Sequence, residues 1–62
     1  MSETMWRHAS RYRAEEIAHT YALGETIRDN EIGTEYRAFS GKPLLYVLRP
    51  INGPTQFFEP VV

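Results

Sequence analysis

The sequence contains no cysteine, so no disulfide can staple it and no thiolate can bind zinc. It has no long apolar run either. Nothing in it approaches the roughly 18 residues that a membrane-spanning helix needs, and Met1-Ser2-Glu3-Thr4-Met5 lacks the basic and apolar regions of a signal peptide. The expectation is a soluble, cytoplasmic protein with no membrane partner. An excess of one charge is also missing, since seven Lys plus Arg stand against eight Asp plus Glu for a net charge of −1. Such a chain has no overall field to draw in nucleic acid or anionic lipid. Its glycines, Gly24, Gly33, Gly41 and Gly53, are isolated and make no phosphate-cradling loop.

Sixty-two residues specify a single small domain, 1–62, with residues 1–5 frayed. A chain of this size buries only about 60% of the surface its unfolded form exposes. With disulfides and thiolate zinc excluded, association with a like or unlike chain is the remaining support for a small fold.

The sequence does supply one uninterrupted apolar run, Leu44-Leu45-Tyr46-Val47-Leu48, held between Pro43 and Pro50. Its length and its content of aromatic and β-branched residues predict a strand with two apolar faces. Leu44, Tyr46 and Leu48 point one way, Leu45 and Val47 the other. Upstream, residues 34–39 alternate as a half-buried strand does, and Ser40-Gly41-Lys42 provides a turn, so 34–39 and 43–49 form a hairpin. A three-residue loop puts Tyr36 and Ala38 on the face of Leu44, Tyr46 and Leu48, and Arg37 and Phe39 on the face of Leu45 and Val47.

Before the hairpin, Ser10 is placed to cap a helix over 11–23, in which Ala14, Ile17, Ala18, Tyr21 and Ala22 recur at spacings of three and four. Gly24 is expected just past its end. Arg11 and Arg13 oppose this reading, because the start of a helix favours acids. A turn is expected at Asp29-Asn30, and Phe57-Phe58 with the residues after it forms a last extended segment. The fold class is therefore α+β: an N-terminal helix packed on a small antiparallel hairpin or sheet, with Trp6, Tyr21 and Tyr36 in the core. The alternative is an all-β, SH3-like barrel in which Tyr21-Ala22-Leu23 and Thr26-Ile27 are strand.

No constellation carries chemistry. Glu16 and His19 have a spacing used in di-iron bundles, but such sites draw further carboxylates from neighbouring helices that this chain lacks. His8 and His19 stand beside no serine or carboxylate in a catalytic pattern. No catalytic residue, cofactor or metal site is expected.

Two functional readings follow. In the first, the protein is a non-enzymatic interaction module, an inhibitor or accessory subunit that binds another protein or pairs as a homodimer. Its contact is the leftover apolar face, Arg37, Phe39, Leu45 and Val47. In the second it binds single-stranded nucleic acid through Trp6, Arg7, Arg11, Tyr12 and Arg13, where arginines to hold phosphate are interleaved with rings to stack on bases.

Overall fold

Ser10 separates the first two elements and starts the second. Its backbone is extended and its Oγ accepts a hydrogen bond from the Arg13 N–H at 3.0 Å, which satisfies one of the unpaired donors at a helix start. Strand β1 (Trp6–Ala9) precedes it and helix α1 (Arg11–Thr20) follows, then strands β2 (Thr34–Arg37), β3 (Pro43–Leu48) and β4 (Gln56–Pro60). The computed structural model describes residues 4–23 and 32–61. The expected features at Gly24, Thr26-Ile27 and Asp29-Asn30 lie outside them.

The strands form one antiparallel sheet in the order β1-β4-β3-β2. Helix α1 packs on one face, against β4 and β3. The architecture is α+β, and the sheet is open rather than closed into a barrel. Among the described residues no helix is long and apolar enough to cross a membrane.

The helix contributes Ala14, Ile17 and Ala18 to the core, and the sheet contributes Ala9, Tyr36, Leu45, Val47 and Phe57. The small residues on α1 let it lie close to the sheet. The helix is shorter than its apolar stripe suggests. It stops at Thr20, Tyr21 is its C-cap, and Tyr21 is left exposed. The Leu23 N–H donates to the Ala18 carbonyl at 2.6 Å and the Ala22 N–H to the His19 carbonyl at 3.3 Å. This reverse turn closes the last carbonyls and returns Leu23 to the edge of the core. It requires a left-handed residue, and Ala22 takes that position at φ +59°.

An L-residue is strained there. Ala22→Gly is therefore expected to stabilise the protein by about 0.5 kcal/mol, the relief of strain being partly offset by the entropy of a more flexible unfolded chain. Chemical denaturation of the two proteins checks this, and a lower midpoint for the glycine variant would contradict it.

The faces of β3 are the reverse of the sequence expectation. Leu45 and Val47 are 0% and 1% exposed, enclosed between the sheet and α1 of their own chain. The hairpin loop spans three residues but lies one residue earlier than expected, at Phe39 to Gly41 rather than Ser40 to Lys42, so β2 ends at Arg37 and Phe39 is outside it. The Ala38 N–H donates to the Lys42 carbonyl, the Gly41 N–H to the Ala38 carbonyl, and Gly41 sits at φ +87°. A bulge follows, however. Arg37 stands opposite Pro43 while Tyr36 stands opposite Leu45, so Leu44 is an extra residue in β3. One added residue switches every later side chain to the other face. Tyr36 thus joins Leu45 and Val47 in the core, and Tyr46 and Leu48 turn outward.

The N-terminal segment differs as well. Trp6–Ala9 is an edge strand paired with β4, and the Met5 carbonyl accepts from the Val61 N–H at 2.7 Å, so the frayed segment expected over residues 1–5 does not extend to Met5. Trp6 lies on the sheet face away from the helix and is only half-buried.

Candidate interaction surface

The face of the sheet opposite α1 is built by alternation from the core outward. In β1, Ala9 faces the helix, so Trp6 and His8 face away; in β4, Phe57 faces the helix, so Phe58 faces away. In β3, Leu45 and Val47 do the same for Tyr46 and Leu48. Register then fixes the neighbours: His8 is opposite Phe58, Phe58 opposite Tyr46, and Tyr46 opposite Glu35. These four residues form one row across all four strands.

The rings touch. His8 meets Phe58 edge-on with centroids 5.1 Å apart, Tyr46 and Phe58 are 6.1 Å apart, and Trp6 reaches diagonally to within 5.8 Å of Tyr46. These are the offset and edge-to-face separations that aromatic quadrupoles favour. Gly33 closes one side, with φ +73° and a backbone so near Tyr46 that a Cβ would lie 2.6 Å from the phenol oxygen. At the β2 edge, Glu35 receives the Arg37 guanidinium at 3.1 and 3.2 Å, and Arg37 is pinned further by a 2.7 Å hydrogen bond to the Gly41 carbonyl. The surface is thus aromatic in the middle, with an imidazole at one edge and a carboxylate–guanidinium pair at the other.

The residues singled out in the sequence are distributed differently. Of Arg37, Phe39, Leu45 and Val47, the two aliphatic residues are core. Phe39 is fully exposed at the hairpin tip, where with Arg37 of the same set, and with Tyr21, Leu23, Ala38 and Leu44, it rims a cleft of about 340 Å³. Only Arg37 borders the aromatic row.

The Arg/aromatic segment is split between the two sides of the sheet. Trp6 faces outward, whereas Arg7 and Arg13 turn to the helix side and converge on Glu59 at 3.4 and 3.0 Å. Arg13 also holds Glu16 at 2.7 Å, and Arg11 holds Glu15 at 3.3 Å while lying over the Phe57 ring. Tyr12 is exposed on the helix. These pairs explain how α1 tolerates a basic first turn: Arg11 and Arg13 are met by Glu15, Glu16 and Glu59 rather than by acids at the helix start.

The hydrogen bond from Arg13, reinforced by the charges of Arg13 and Arg7 and opposed by burial, holds the Glu59 carboxyl below its ordinary value. A depressed carboxylate stabilises the fold above its unfolded pKa, and that contribution is lost as pH falls through the folded value. Below about pH 5 the thermal midpoint of the wild-type protein is expected to fall more steeply than that of Glu59→Gln, which carries no titrating group there. Parallel slopes in a pH series of melting curves would contradict it.

Glu16 and His19 are both exposed on α1, and Glu16 is taken by Arg13. Among the described residues no group of three or more His, Cys, Asp or Glu is placed to share a metal ion. No protein-family model matches this chain, and neither a curated protein nor a solved structure does.

Sequence reasoning missed Trp6, His8, Tyr46 and Phe58 as one surface. Alternation in Trp6-Arg7-His8-Ala9 is the signal that could have found the outer strand, but it is only four residues long. Nothing in the sequence announces the bulge that turns Tyr46 outward.

Proposed function

We propose that the protein is a non-enzymatic binding module that acts on another protein through the outer face of its sheet, centred on Trp6, Tyr46 and Phe58. The observation that carries this reading is the contiguous set of rings on the face opposite α1. Aromatic residues are enriched, and charged ones depleted, at the centres of protein interfaces. Nucleic acid is the weaker reading, because the arginines that would hold phosphates are committed to carboxylates on the opposite side of the sheet. Binding of a single-stranded oligonucleotide is expected to leave the fluorescence of Trp6 unchanged at low salt. A salt-dependent quench would replace the protein reading with the nucleic-acid one.

The direct test is a photo-crosslinking amino acid at position 58 of the full chain, made in its native cells, with a second variant carrying it at position 12. Protein adducts are expected from position 58 and none from position 12, where Tyr12 is exposed on the helix away from the row. Adducts from position 12 alone, or from neither, would refute the assignment of this face.

A further inference from the structure

The row His8–Phe58–Tyr46–Glu35 runs straight across the sheet from one edge strand to the other. Its two ends are chemically opposite. His8 presents an imidazole N–H donor, and Glu35 presents a carboxylate. The middle is two neutral rings. In the neighbouring row, Trp6 stands at the β1 edge and Arg37 at the β2 edge.

Two copies of such a face can be laid on each other by a two-fold axis in only two principal ways. An axis lying along the row sets His8 on His8 and Glu35 on Glu35, with like groups opposed at both edges. An axis lying along the strands reverses the strand order of one copy relative to the other. It sets His8 opposite the partner's Glu35, Phe58 opposite the partner's Tyr46, and Trp6 opposite the partner's Arg37. Each of these pairings occurs twice. The edge contacts are then donor to carboxylate and guanidinium to indole face, both attractive, and the rings fill the space of about 10 Å between aligned packed sheets.

We propose that the protein covering this face is a second copy of the same chain, packed sheet on sheet about a two-fold axis parallel to the strands. The proposal rests on the reading of the face as a protein-binding surface and names its partner. Complementarity of the two edges under one operation is what favours a like chain over an unlike one. Pairing also buries the half-exposed rings of Trp6, Tyr46 and Phe58, which α1 cannot reach.

Sedimentation equilibrium of the full chain tests it. The wild-type protein is expected to run as a dimer. His8→Glu sets two carboxylates against each other at both edges, and Glu35→Lys removes the carboxylate that accepts from the imidazole N–H and puts a donor in its place. Each single variant is expected to weaken the dimer about ten-fold or more, and the double variant, which restores opposite charges, to recover it, with unchanged circular dichroism throughout. A monomeric wild-type protein, a dimer indifferent to both single variants, or a folded double variant that stays monomeric would each overturn the proposal. If the wild-type protein is monomeric but position 58 crosslinks to a different protein, only the second copy is refuted. If it is monomeric and position 58 yields no protein adduct, the protein-binding reading fails with it.

Discussion

Leu45→Ala is expected to cost about 3 kcal/mol, whereas Leu48→Ala on the same strand should cost about 1 kcal/mol or less. Leu45 is fully buried and its side chain is among the largest so enclosed, while Leu48 is half-buried on the outer face. Truncating Leu45 removes its transfer free energy and leaves a cavity between sheet and helix that the small residues Ala14 and Ala18 cannot collapse to fill. Native chains of this length have about 3 to 9 kcal/mol of stability in total, so the first substitution consumes a large part of it. The thermal midpoint should drop by roughly 15 °C for Leu45→Ala and by only a few degrees for Leu48→Ala. Equal losses in paired melting curves would mean that the strand does not have one deeply buried and one shallow face.

Gly33→Ala is expected to destabilise the protein by about 1 to 2 kcal/mol and to disturb the outer face as well. Two costs combine. The backbone at φ +73° is left-handed, where a Cβ is strained, and the added carbon would lie 2.6 Å from the Tyr46 hydroxyl. Because that hydroxyl is the far end of a mobile side chain, the phenol can swing away, but only by giving up its packing against Trp6 and Phe58. The variant should therefore show a lower unfolding midpoint together with altered Trp6 fluorescence in the folded state. A midpoint shift with an unchanged Trp6 spectrum would indicate backbone strain alone and would separate Gly33 from the ring cluster.

How much of this was legible in the sequence depends on how local the deciding interaction is. Ser10 announces the helix start through a side-chain hydrogen bond three residues away, and the apolar run 44–48 announces a central strand by composition. Both are visible without the fold. A turn at Gly41 is legible for the same reason, because Gly41 supplies a left-handed angle, but the loop it closes is 39–41 rather than the expected 40–42. The side to which Leu45 points is not. It depends on a single added residue in β3, Leu44 between Pro43 and Leu45, which packs at the margin of the core and is marked by no turn residue. Reversal of the strand's faces moved Leu45 and Val47 from the expected contact surface to the interior.

The helix end was misplaced for a related reason. Glycine is the usual left-handed residue there, but the chain turns at Ala22, where docking of Leu23 on the core offsets the strain. The arginine-rich segment was misjudged because its partner Glu59 lies far along the chain, and only the register of β1 with β4 brings them together.

Strand β4, the last of the five elements among the described residues, sits between β1 and β3. Until it has been synthesised, β1 has no neighbour on either side and α1 lacks one of the two strands it rests on. A ribosome-bound chain short of Gln56 thus holds a hairpin and an unsupported helical segment, with Trp6 and Val47 both open to solvent and to chaperones. A nascent chain stalled before Gln56 would keep the β2–β3 pairing and lack the rest of the sheet.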